Sequence, residues 1–126
     1  MTASPASIAL AQAAADAGSA KSAFDIVALD VSGPLPLTDI FLLLSGRSER
    51  NVQAIADGIE DALNERGVKT LRREGRAEGR WVLLDFGDLI CHVFIEDERM
   101  FYSLERLWKD CPVIPITTDD QAITSA

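Results

Sequence analysis

The runs Asp25 to Val31 and Asp39 to Ser45 are dense in Ile, Val, Leu and Phe, and Ser32-Gly33-Pro34-Leu35-Pro36 between them cannot continue a strand. They predict two strands, the second almost wholly buried. Beyond Gly46, Ser48 is placed to cap a helix in which Val52, Ile55, Ile59 and Leu63 recur at helical spacing, with Gly67 as its left-handed stop. Asp57, Glu60, Asp61 and Glu65 fall on the expected solvated face of that helix. Val68 to Arg73 reads as a strand leading into the charged, glycine-punctuated loop Glu74 to Arg80. Trp81 to Phe86 and Leu89 to Ile95 are β-rich runs joined by Gly87-Asp88, the signature of a two-residue hairpin. A last helix is expected from a cap at Asp97, with Met100, Phe101, Leu104, Leu107 and Trp108 on its apolar side. Pro112 and Pro115 then end regular structure and leave a tail. Upstream, Ile8 to Ala17 is helix-prone but poor in large apolar groups, so it predicts a loose helix or extension. The order implies an α/β fold: a single domain, residues 24–111, with a mixed β-sheet flanked by helices, an extension at 1–23 and a flexible tail at 112–126.

The hairpin register carries most of the functional information. With Gly87-Asp88 as the whole turn, Trp81 lies opposite Phe94, Leu83 opposite His92 and Asp85 opposite Ile90, all on one face. Val82, Leu84, Phe86, Leu89, Cys91 and Val93 form the other, uniformly apolar face, the better candidate for the helix-covered core. The mixed face has the composition of a recognition surface, and equally that of a second core layer under a helix or the chain's own tail. His92 has no Ser or Cys nucleophile beside it with an orienting carboxylate, so a hydrogen-bonded structural role is the simpler reading.

Composition narrows the classes. A chain of 126 residues with 48% hydrophobic content builds a core without disulfides or metal. Its 12 Lys and Arg against 20 Asp and Glu give a formal charge of -8, which disfavours binding to phosphate backbones. Lys69, Arg72, Arg73, Arg76 and Arg80 are a local exception, interleaved with Glu74 and Glu78, and offer at most a minor RNA contact. Cys91, Cys111 and the single His92 cannot complete a structural zinc site among themselves, so no metal or other cofactor is implied. No apolar run approaches the roughly 20 residues that span a bilayer, and the start fits no targeting peptide; a soluble cytoplasmic protein is expected. Ser45-Gly46-Arg47-Ser48 at a helix start suggests a phosphate cradle and nucleotidyl transfer, but no carboxylate pair follows to hold magnesium.

Several ordered segments together resemble the RsfS/Iojap family of ribosomal silencing factors, over about residues 24–109. They are Asp25 to Val31, Thr38-Asp39 leading to Ser45-Gly46 and Ser48, Gly75 to Trp81, Asp85-Phe86-Gly87-Asp88 with His92-Val93-Phe94, and Arg99 with Tyr102 to Trp108. Phe86 stands where Tyr is usual and Cys91 where Val is usual. The resemblance implies a nucleotidyltransferase-like topology without the catalytic motif, and therefore no enzyme. It implies binding to the large ribosomal subunit through its L-fourteen protein, a block on association with the small subunit, repression of translation, and a homodimer when free. Given the net charge, the ribosomal contact is expected to be mainly with protein, with a minor ribosomal RNA contact as a possible addition. Trp81, Asp85, His92, Phe94, Tyr102, Leu104, Glu105, Leu107 and Trp108 are the motif positions from which the partner interface is expected to be drawn. A generic dimeric interaction domain with a non-ribosomal partner stays open beside this reading, as does the nucleotidyltransferase-like enzyme.

Overall fold

A computed structural model of the chain describes residues 2–102, 106 and 108–117, apart from the side chains of residues 100–102. The elements are α1 (Pro5–Ala20), β1 (Phe24–Asp30), β2 (Ile40–Gly46), α2 (Glu49–Glu65), β3 (Arg72–Glu74), β4 (Trp81–Asp85), β5 (Leu89–Ile95), α3 (Glu96–Tyr102) and β6 (Val113–Ile114). The six strands lie in the order β3-β4-β5-β2-β1-β6. Only β2 with β5 is parallel, because α2 and the β3-β4 segment intervene; the remaining pairs are antiparallel. The fold is the mixed, helix-flanked α/β sheet that the pattern predicts.

One sheet face is covered by α1 and α2. Ile40, Leu42 and Leu44 of β2, Val82 and Leu84 of β4, and Leu89, Cys91 and Val93 of β5 are buried there against Val52, Ile55, Ile59 and Leu63 of α2. Ser48 caps α2 by accepting a hydrogen bond from the Asn51 amide at 3.0 Å, and Gly67 takes a positive φ of 84° just beyond its end. On the opposite face Leu29, Val31, Phe41, Leu43 and Phe94 form a second, smaller core with half-buried Val27, Leu35, Trp81, Ile90, Trp108 and Cys111 around it.

Five local expectations are corrected. The first concerns α1, which is tightly packed and not loose: Ala11, Ala14, Ala15 and Gly18 are buried, since small side chains let the helix approach closely. Ser4 caps it, and two carboxylates hold its start, Asp30 accepting from the Ala3 amide at 2.8 Å and Asp39 from the Ser4 amide at 3.0 Å and the Ser7 hydroxyl at 2.9 Å. Second, the strand proper begins at Arg72, with the Leu71 amide already donating to the Asp85 carbonyl at 2.7 Å, because the residues before it carry the chain from α2 to the sheet edge. Third, Glu60 is buried, where its carboxylate accepts from Thr70 Oγ1 at 2.7 Å and from Arg73 Nε and Nη2 at 3.0 and 2.8 Å. Fourth, α3 begins at Glu96 directly after β5, so Asp97 lies inside the first turn, where acidic side chains suit the helix dipole, and does not cap it.

The fifth correction is β6, a strand between Pro112 and Pro115 that pairs antiparallel with β1 where a tail was expected. An edge position tolerates flanking prolines because one side of the strand needs no ladder partner. Just after it, Gln12 of α1 binds the Thr117 backbone twice, donating to its carbonyl at 2.6 Å and accepting from its amide at 2.9 Å.

At the β3-β4 turn Gly75 has a φ of +81°, and a Cβ there would collide with the Trp81 carbonyl oxygen. Gly75→Ala is expected to cost about 2–4 kcal/mol from a strained φ plus a backbone clash, measured as a fall in the denaturation midpoint.

Candidate functional site

The register places the mixed face as the sequence predicts, with Trp81 opposite Phe94, Leu83 opposite His92 and Asp85 opposite Ile90. The parallel seam extends each row into β2. His92 lies beside Leu43, itself opposite Val27, and Leu83 is opposite Glu74, giving one row across five strands only when β3 and β1 are included: Glu74, Leu83, His92, Leu43, Val27. Ile90 lies beside Phe41 in the next row.

Aromatic rings fill this face. Phe41 meets His92 edge-on at 4.9 Å between centroids and Trp108 edge-on at 5.3 Å. Trp81 leans on Phe94 at 5.0 Å, and its indole Nε1 donates to His92 Nδ1 at 3.2 Å. Such edge and offset contacts are each worth about 0.5–1.5 kcal/mol beyond area burial. The indole donor fixes the imidazole tautomer: Nδ1 accepts, so the proton of the neutral ring sits on Nε2. Burial pushes the imidazole pKa down to about 4.

The candidate residues divide into distinct roles. Phe94 is buried and belongs to the core of this face, and His92 is buried beside it. Trp81 and Leu83 are half-exposed and, with Glu74 and Gly75, line a shallow concavity of about 310 Å³. Trp108 is half-buried against Phe41. Asp85 serves the hairpin, its Oδ1 accepting from the Gly87 amide at 2.8 Å while Gly87 holds a φ of +92°. The Tyr102 side chain and residues Leu104, Glu105 and Leu107 lie outside the described residues. Phe41 and Leu43 escape the sequence reading because β2 is apolar at nearly every position, so alternation carries no signal there.

The basic loop has a structural use. Arg76 pairs with Asp57 through two bonds of 2.9 and 2.6 Å, Arg73 with Glu60, and Arg80 with Glu98 at 2.9 Å and Glu49 at 3.4 Å. The Arg76 hydrogen bond holds the Asp57 carboxyl below its ordinary range despite partial burial. Gln53 donates to the carbonyls of Arg76 and Ala77 at 3.0 and 3.1 Å, so α2 fixes the loop that delivers Trp81. Solvent screens such exposed pairs, so they add little to stability and their effect is positional.

The Ser45 to Ser48 turn is likewise occupied. Ser45 Oγ accepts from Arg99 at 2.8 Å, Ser48 caps α2, the Arg47 amide donates to Asn51 Oδ1 at 2.8 Å, and a Cβ at Gly46 would meet Val52 Cγ2 at 2.8 Å. A phosphate cradle needs such donors free and such space open.

The family model described as "Ribosomal silencing factor during starvation" matches residues 4–126. The chain belongs to the ribosomal silencing factor family. The match reaches beyond the 24–109 resemblance to include α1 and the C-terminal segment. The chain is 48% identical over 93 residues to ribosomal silencing factor RsfS of Bacillus subtilis, covering 74% of this chain and 79% of that protein. It is 31% identical over 107 residues to the chloroplastic Iojap protein of Zea mays, covering 85% of this chain and 46% of that protein. A crystal structure from Bacillus halodurans superposes with a TM-score of 0.77 at 42% identity, covering 86% of this chain and 98% of that one. The family is regulatory and not enzymatic. No helix among the described residues is long and apolar enough to cross a membrane.

His92 gives a pH signature. Its folded value near 4 lies below the ordinary 6.5, so above about pH 6.5 it is neutral in both states and adds no pH dependence. As pH falls from 6.5 towards 4 the unfolded chain takes up a proton that the folded chain refuses, and stability drops by up to roughly 3 kcal/mol. Urea unfolding of the wild type and His92→Phe across this range is expected to show that extra loss in the wild type alone.

Proposed function

We propose that this chain binds the large ribosomal subunit through ribosomal protein L-fourteen, using the rim formed by Trp81 and Leu83, and so blocks association with the small subunit and represses translation in the cytoplasm. The observation that carries the reading is the pair of half-exposed apolar side chains, Trp81 and Leu83, over a concavity at the border of a packed aromatic face. A large aromatic anchored on one side and solvent-facing on the other is the usual form of an interface hot spot, because its conformation is fixed before binding. The family's own description supports a ribosomal context. A net charge of -8 suits a basic protein surface better than a phosphate backbone, and the arginines closest to Trp81 are engaged with carboxylates.

The test is co-sedimentation with purified large subunits. Leu83→Glu and Trp81→Glu are expected to weaken binding by more than roughly 2 kcal/mol while thermal unfolding stays cooperative. Leu83→Glu is the cleaner probe, since Trp81 also packs on Phe94. A folded Leu83→Glu protein and a folded Trp81→Glu protein that both bind normally would remove the assignment of this rim.

We also propose a homodimer in the free state, sheltering the same half-exposed side chains when no ribosome is present. Sedimentation at micromolar concentration is expected to give twice the mass of one chain, and Leu83→Glu to shift it towards one.

A further inference from the structure

The aromatic face holds one buried polar atom beside its rings. His92 Nε2 is buried and lacks a hydrogen-bond partner among the described residues. Because Nδ1 already accepts from Trp81, Nε2 carries the proton and is an unused donor. Leaving such a donor unpaired forfeits its hydration without return, so a buried one in a native structure calls for an explanation. Phenylalanine would fill the same space and pack on Phe41 and Phe94 without that cost, losing only the acceptor for the half-exposed Trp81 indole.

We propose that the His92 Nε2–H donates to an uncharged carbonyl oxygen, main-chain or amide side-chain, that the docked protein partner inserts into this face. The proposal rests on the reading above that this face docks ribosomal protein L-fourteen, and it names the group recognised. Phe41, Leu43, Leu83, Trp81 and Phe94 surround the ring through contact or register. In that apolar setting a carboxylate or phosphate arriving opposite a neutral donor loses far more hydration than one hydrogen bond returns. A carbonyl gives up far less hydration than an ion and satisfies the donor. The face meets solvent at half-exposed Trp81 and Leu83, while Phe41 and Trp108 pack on each other over β2.

The chain contains one histidine, so histidine-selective ¹⁵N labelling reports this ring alone. In the free protein the spectrum is expected to show one acceptor-type and one protonated nitrogen. On saturation with purified L-fourteen protein, the Nε2–H proton is expected to shift to a hydrogen-bonded position and to exchange more slowly with water. In parallel, His92→Phe is expected to bind at least roughly tenfold more weakly, the loss of one buried hydrogen bond, with only a small change in melting temperature, because relief of the unpaired Nε2 donor offsets the lost acceptor of half-exposed Trp81 Nε1. A residue that only supports the fold would lower the melting temperature markedly. An Nε2–H signal unchanged in the saturated complex, or undiminished binding by His92→Phe, overturns the proposal while leaving the docking surface intact. Should His92→Phe fail to fold, the ¹⁵N experiment on the wild type decides alone. Failure of the wild type to bind either L-fourteen protein or large subunits overturns the parent reading instead.

Discussion

The parallel pairing of β2 with β5 is the contact around which the other elements are arranged, and it is a pairing the chain can form only at a distance. The strands align from Ile40 beside Leu89 to Gly46 beside Ile95, and the intervening chain must pass through α2 and the β3-β4 segment before the ladder closes. A parallel seam hidden on both faces demands near-continuous apolar sequence, which Ile40-Phe41-Leu42-Leu43-Leu44 supplies. Side chains of period two then separate two environments. One set meets α1 and α2, and the other sets Phe41 and Leu43 beside His92 and Ile90. A slip of one residue along this seam would exchange the two faces, so the aromatic surface depends on a register made by main-chain hydrogen bonds.

Much of this was legible in the sequence, for identifiable reasons. The Gly87-Asp88 turn fixes the β4-β5 register through local chemistry, so the face partners of Trp81, Leu83 and Asp85 follow from counting. The cap at Ser48 and the apolar stripe of α2 are local as well. What was not legible depends on contacts distant in sequence. The burial of α1 requires the approach of a helix of small residues to α2 and β2, β6 requires a partner more than eighty residues away, and Glu60 is recruited by Arg73 from an acidic face that looks solvated. Within the candidate site, Phe41 was hidden because a strand apolar throughout gives no alternation to read.

The arginine-rich loop illustrates how charge in a sequence differs from charge on a surface. Five basic residues between Lys69 and Arg80 suggest a basic patch, yet Arg72, Arg73, Arg76 and Arg80 each face a carboxylate, three of them reaching residues of α2. Their field is largely cancelled close at hand, and what remains is geometric: the loop is held to the helix, and β4 enters the sheet with Trp81 at its first position. The charges thus organise the chain, and the half-exposed side chains at the rim, Trp81 and Leu83, are apolar.

The Gln12 amide imitates a strand, bonding both polar groups of Thr117 across 105 residues of sequence. With β6 on the far edge of β1, this joins the beginning of the domain to its end. A chain whose first helix is finished by its last described residues has a topological order to its assembly: the local hairpin and α2 can form early, whereas the closing contacts bear the entropy of the longest loop in the molecule. The packing of α1 on α2 and β2 spans shorter loops, so the C-terminal segment closes last, over a helix that can already be in place.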